Sequence, residues 1–464
     1  MRETPPTSRA QQAFGGSAVL NVIRASWALY IGILLLMIGN ALQGSLVGVR
    51  AEIEGFDPQI FGFVSSAYFI GLMLGAWLTP RLLRRVGHVR VFAALASLIS
   101  AAFIIFAALV DPVAWFLCRL VVGIGFAGVY IVSESWINDS SDNTTRGAAL
   151  GVYMLTQMGG VMVGQALLNV GDPAGFELFV LMSVLVSVSF APILLSVQPA
   201  PVFDTSKPMS LRELYEASPL GSIGMLLLGG TMAAMFGMGA LYATRVGMSV
   251  PEISIFLAAF YAGALATQYP IGWLSDQMDR RVLIVAICLL GAFAGLTALA
   301  APALSFGQIG EVRILALFFA ALVVGGLAHP AYGLLVAHTN DFLEKEQMAA
   351  AASGLLFMNG IGAAIGPILV GYLFEFIGAH AFWIYISGLL FAVAAYGAYR
   401  MTQRATVEDP APYAMVTSRT SAVGMEMAQE IAIEKLEEAE SDPEAAVDDL
   451  SDDAADGRRA TPAV

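Results

Sequence analysis

Stretches of roughly 20 residues with scarcely a charge recur from about Trp27 to Arg400, and roughly 20 residues is the length a helix needs to cross the hydrocarbon core of a bilayer. Twelve such runs stand out, at about 27–46, 60–79, 91–110, 113–135, 147–169, 176–197, 220–243, 252–273, 282–303, 312–336, 350–374 and 380–400. The short apolar and polar alternation of a strand barrel is absent. With 58% hydrophobic and 13% charged residues, the composition is too apolar for an ordinary water-soluble domain. The expectation is an all-α membrane protein with twelve transmembrane helices. Asp57-Pro58 and Asp111-Pro112 open two of the runs, as an N-cap followed by a helix-compatible proline.

The net charge of −13 is unevenly spread, because residues 401–464 hold 15 Asp and Glu against 5 Lys and Arg. That stretch has too few large apolar residues to offset the cost of ordering. It is expected to be a disordered cytoplasmic tail, dispensable for insertion and flux, with a short helix near 424–440 as the one exception. Twelve spans put both termini on one side, and 19 of the 23 Lys and Arg fall on that side, which makes it the cytoplasmic one. The N-terminus lacks the build of a signal peptide, so the first span is expected to be retained. Cys118 and Cys288 lie inside apolar runs and read as packing residues, with no metal-ligand cluster and no cofactor motif.

The chain repeats itself. WLTPRLLRRV at 77–86 aligns with WLSDQMDRRV at 273–282, and LVVG at 120–123 recurs at 322–325. Tyr130 then matches Tyr332, Asn138-Asp139 matches Asn340-Asp341, and Gly160 and Gly164 match Gly362 and Gly366. Duplication of six helices gives two pseudo-symmetric six-helix bundles, 26–197 and 220–400, flanked by a segment 1–25, a cytoplasmic linker 198–219 and the tail 401–464. Two such halves are the plan of a secondary transporter whose site lies between them near the midplane.

The stretch Gly272-Trp-Leu-Ser-Asp276-x-x-Asp279-Arg280-Arg281 resembles the loop motif of the major facilitator superfamily. The first-half copy is degraded, with Pro80 at the acidic position and Arg84 and Arg85 retained. ESWIN at 134–138 and QYPIGWLSD at 268–276 are similar to the bacterial subfamily typified by YcaD. The resemblance covers about 25–400 and implies an inner-membrane transporter, monomeric, working by alternating access. Its gating motif maps to Gly272, Asp276, Arg280, Arg281, Arg84 and Arg85. Asp276 lies where the negative helix pole disfavours a lone carboxylate, so it needs a cation such as Arg280 and reads as a latch. The arginines read equally as positive-inside anchors.

Ionisable groups inside spans are the leads to a substrate or proton path, because burying them is costly. Arg119, Gly123, Tyr130 and Glu134 share a stripe about 60° wide on the fourth helix, which lines the cavity in the resembled fold. Arg119 reads as a site residue or as a structural bond to backbone carbonyls. Glu134 reads as a gate, a proton carrier or a helix-end ion pair, and about 22 Å of axial rise keeps it from pairing with Arg119. His329 and Tyr332 face the same cavity in that register, and histidine titrates near neutral pH. Gln43, Gln157 and Asn359 are the polar residues ranked highest for reading a solute, with helix–helix bonding as the alternative. Met232, Met235, Phe236 and Met238 form either an adaptable apolar wall or a lipid-facing surface. Gly123-x-Gly125-x-x-Gly128 is formally a dinucleotide fingerprint, but it lies within an apolar helix, where small residues serve close packing.

The expected partners are therefore a small-molecule solute, protons and the lipid bilayer, with no nucleic acid. No enzyme motif is present. The direction leans slightly to export, and the alternative is a transporter-like sensor that signals through its acidic tail.

Overall fold

The computed structural model describes residues 8–141, 145–195, 209–300, 310–404, 407 and 410–441. Among them the secondary structure is helical throughout, without a strand. A helix that begins at Ser8 kinks at Ser26 and continues as α1, Ser26–Ile53. There follow α2 (Pro58–Val86), α3 (His88–Ala108), α4 (Pro112–Ser140), α5 (Arg146–Leu167) and α6 (Glu177–Leu195). The second set is α7 (Pro219–Arg245), α8 (Val250–Ser275), α9 (Arg280–Thr297), α10 (Gly310–Asn340), α11 (Lys345–Ile377) and α12 (Ala381–Met401). One further helix, α13 (Ala422–Ser441), follows the twelve. The linker 198–219 falls largely outside the described residues, but a short helix Leu211–Ala217 precedes α7.

The local signals act where polar chemistry can reach the backbone. Asp111 accepts from the Val113 and Ala114 N–H groups at 3.0 and 2.9 Å and starts α4. Asp57 makes no such side-chain bond, so α2 relies on Pro58, whose fixed φ suits the first turn. A reciprocal Ser249–Glu252 capping box opens α8. Gly378, at φ +67°, breaks α11 from α12 in a conformation that favours glycine. Inside α7 the helix widens into a π turn at Ala234–Met238. Met232, Met235 and Met238 there are buried, which removes the lipid-facing reading.

Two ends of the bundle behave differently. At the end away from Ser26 and Met401 the halves meet at backbone distance: a Cβ on Gly62 would lie 2.5 Å from the Pro367 carbonyl oxygen, and one on Gly48 would lie 2.8 Å from the Ala240 Cβ. Ser65 Oγ donates to the Gly237 carbonyl at 3.0 Å, and Arg245 pairs with Glu52 at 2.7 Å across the same seam. At the opposite end, segment 410–434 lies between the halves.

For residues 410–421 this differs from the expectation of a disordered tail, which excepted only a short helix near 424–440. Ala414, Val416, Met425, Met427 and Ala428 are buried, and the run from Ala422 to Ile433 holds enough apolar surface to pack on the bundle. The helix expected near 424–440 is present as part of α13. Residues 442–464 lie outside the described part.

Candidate functional site

A cavity of about 1000 Å³ lies between the halves and is bordered by residues of both. Of the expected site residues it takes in Gln43, Arg119, Tyr130, Asn359 and Arg84. Arg119 is 3% exposed. Its Nη1 donates to Gln43 Oε1 at 3.1 Å, so it is held by a side chain and not by backbone carbonyls. Its Nε and Nη2, and Gln43 Nε2, have no hydrogen-bond partner among the described residues. No carboxylate pairs with Arg119 among the described residues, and the Tyr68 ring lies 5.9 Å from its guanidinium carbon. Tyr130 accepts from Asn40 Nδ2 at 3.1 Å, and Asn359 Nδ2 donates to the Met225 carbonyl at 3.3 Å.

Four of the residues expected on the substrate or proton path sit outside the cavity wall. Gln157 is buried away from it. The structure places His329 behind the wall, where Nδ1 pairs with the Gly325 carbonyl at 2.9 Å and the ring lies 5.5 Å from Phe236. Glu134 and Tyr332 do meet a neighbour, but it is the C-terminal segment. Glu134 accepts from Tyr153 Oη at 3.0 Å and from the Ser421 N–H at 2.9 Å. Gly424 packs so close that a Cβ there would lie 2.6 Å from Glu134 Oε2. Tyr332 Oη donates to Met425 Sδ at 3.7 Å.

The second-half loop is built around Arg280, 4% exposed. Its Nη2 meets Asp276 at 3.0 Å, Nε meets Ser275 Oγ at 2.9 Å, and Nη1 pairs with the buried Asp341. The cation required by Asp276 is thus Arg280. Arg280's buried counter-ion is Asp341, while half of the Asp276 side chain is exposed. Burial lifts the Asp341 carboxyl to about 6, against the opposing pull of Arg280 and of the Ala411 N–H. Arg281 is clamped by Asp279 at 2.8 Å.

The C-terminal segment completes this cluster. Asp276 accepts from the Tyr413 N–H at 3.1 Å, Asp341 accepts from the Ala411 N–H at 3.0 Å, and Arg280 donates to the Ala411 carbonyl. The Tyr413 ring fills a notch at Gly272 and Gly333, where a Cβ would lie 2.6 and 2.5 Å from its atoms. Arg419 enters the cavity wall and donates to Tyr261 Oη at 2.5 Å. Farther along, Gln429 accepts from Asn340 Nδ2 at 3.0 Å, and Glu430 meets Arg146 of the first half at 2.9 Å. Tyr413, Arg419, Ser421 and Asp341 were missed as site residues. The Asn340-Asp341 repeat and the apolar run at 422–433 were the signals that pointed to them.

A family model of the Major Facilitator Superfamily matches residues 29–248 and 220–423. The MFS-type transporter YcaD of Escherichia fergusonii is 26% identical over 78% of this chain and 91% of its own. An MFS-type transporter of Enterobacter sp. is 27% identical over 83% and 97%. Among solved structures, the nucleoside transporter NupG superposes with a TM-score of 0.67 at 14% identity, covering 82% of this chain and 99% of that one. The D-xylose-proton symporter gives 0.60 at 16% identity, over 80% and 96%. These last two likenesses concern the fold alone. Twelve spans in a repeated arrangement, a cavity between the halves and a family match over most of the length lead to one assignment: the chain is a membrane transporter belonging to the Major Facilitator Superfamily.

Proposed function

We propose that this protein is a secondary active transporter of the bacterial inner membrane, moving a small solute by alternating access in exchange for, or together with, protons. Both termini face the cytoplasm in this reading, the working unit is the monomer, and the direction leans slightly to export. The observation that carries the proposal is the cavity itself, closed at one end by backbone packing of the two halves and entered by a buried arginine from α4. In a rocking transporter that is the form open towards the cytoplasm. Glu134, buried and hydrogen-bonded to Tyr153, and Asp341, whose carboxyl lies near 6, are the carriers of the proton.

For the opposite end to open, the cytoplasmic ends of the halves must approach each other, and segment 410–434 occupies that space. The segment therefore acts as a wedge in cis that holds the cytoplasm-facing form and must leave in each cycle. The same docking favours a second reading, a receptor that signals through release of its tail.

Liposomes containing the purified protein and a luminal pH dye test both. A panel of metabolites is added outside while solute entry and dye response are followed. Entry with a dye response is expected. Entry without it removes proton coupling, and a compound that raises the melting temperature but never enters favours the receptor reading.

A further inference from the structure

The proposed transport reading leaves the class of solute open, and the free valences of Arg119 narrow it. A buried guanidinium without a counter-ion is among the costliest groups a fold can hold, and in a membrane such a group marks a site. Here Gln43 occupies only Nη1. The two atoms left without a partner, Nε and Nη2, are the adjacent pair that takes both oxygens of one carboxylate side-on. Gln43 Nε2 is a third donor without an acceptor at the same place. Gln43, Gly44 and Arg119 border the same cavity, and at Gly44 an added Cβ would touch nothing within 4 Å.

The charge of the wall points the same way. Arg81, Arg84, Arg119 and Arg419 border the cavity, against Glu213 and Glu426. Glu213 is engaged in the capping box with Ser210, and Arg419 has Tyr261 Oη for a partner and no carboxylate among the described residues. Tyr68, Phe69, Phe236 and Leu257 give part of the wall an apolar, aromatic face, beside polar residues such as Asn40 and Gln165. The duplication does not explain the arginine, because the matching position of the second half is Ala321. Resting on the transporter reading, we infer that the cavity takes an organic anion with an apolar, flat body, its acid group held side-on by Arg119 Nε and Nη2 with Gln43 Nε2 as a further donor.

The test uses one ring system with five head groups: naphthoate, naphthalenesulfonate, naphthyl phosphate, naphthamide and naphthylmethylamine. Binding to the full-length protein in detergent is read as a dose-dependent rise in melting temperature. At least one of the three anions is expected to bind and the amide and amine are not, and the order among the anions tells carboxylate from sulfonate and phosphate. Arg119→Gln is expected to weaken anion binding on the order of tenfold to hundredfold, the range for a lost charged hydrogen bond. Arg119→Lys, which keeps the charge without the fork, should fall between and decides the matter should Arg119→Gln fail to fold. Binding of the amine in preference to all three anions, no binding of any anion, or anion affinity unchanged in both variants overturns the inference. If the anion binds through Arg119 but never crosses in liposomes, the transport reading falls and the site stands. If the amine or amide crosses while the anions neither bind nor cross, transport stands and the anion site falls.

Discussion

The two copies of the repeated loop have opposite fates. In the second half Arg280 and Arg281 are buried and fully engaged, and Asp276, Asp279 and Asp341 surround them. In the first half Arg84 and Arg85 are exposed, and Pro80 stands where the acid would be. The notch that admits Tyr413 is just as one-sided. Gly272 and Gly333 line it, whereas their counterparts by the same offsets are Ala76 and Ile131. Related sequence thus yields a docking site in one copy and a solvated basic stretch in the other. The lesson is that an acid and two missing side chains, more than the arginines both copies share, decide whether the loop can hold a partner.

The widest gap between the copies should appear on removing the arginine. Arg280→Gln leaves Asp341 buried without its cation and is expected to cost about 3 kcal/mol at neutral pH. Arg84→Gln, at the exposed twin, should stay within about 0.5 kcal/mol. Unfolding of the detergent-solubilised proteins by denaturant measures both, and equal losses would erase the distinction.

Truncation after Gln403 comes next. If the segment is a wedge on the second-half loop, its loss should shift the two access states by about tenfold, the equivalent of roughly 1.4 kcal/mol. Fluorescence pairs across the ends of the two halves that flank segment 410–434 read the populations. This replaces the expectation that the tail can be removed without effect, and unchanged populations would restore it. Gly272→Ala should shift the states in the same direction by less, because the new methyl group must displace the Tyr413 ring. Ala76→Leu at the twin position has no such ring to displace.

A smaller effect concerns pH. Burial raises the Asp341 carboxyl from 3.8 to about 6, so the folded state holds its proton to higher pH than the unfolded chain does. The stabilisation from that proton is fully present below about 4 and is lost as pH rises through about 6. The melting temperature of the native protein relative to Asp341→Asn should therefore fall across that window and level off above it. A flat difference refutes the assignment. The smallest effect is expected at the rim, where Arg146 pairs with a half-exposed Glu430. Glu430→Gln should cost no more than about 1 kcal/mol, and salt should abolish even that.

Much of the architecture was legible because a bilayer forgives little. An apolar run of helix-spanning length has one outcome there, and the repeat at 77–86 and 273–282 exposes the duplication directly. Arg119 was legible for the same reason, as a charge where charge is costly. What misled was reading residues 401–464 by their average. The acidity is concentrated beyond Glu434, while Ala422, Val423, Met425, Met427, Ala428 and Ile431 bring to one helix the apolar surface that the average hides. His329 misled for another reason. Helical register gives a direction around one axis, but whether a side chain reaches the cavity depends on what α7 and α8 place in front of it, here Phe236 and Tyr261.

By itself the sequence determined the helices, their number and order, the duplication, and the rarity of charge that makes Arg119 and Glu134 conspicuous, since each follows from local composition and the demand that lipid leave no backbone group unpaired. Tertiary structure alone decided which end of the bundle is closed, that Arg280 finds its buried partner in Asp341, and that Glu134 meets the Ser421 N–H. Those outcomes depend on contacts between residues as far apart as 134 and 421, whose meeting is set by how the two halves and the segment between them share space, and no local pattern encodes that.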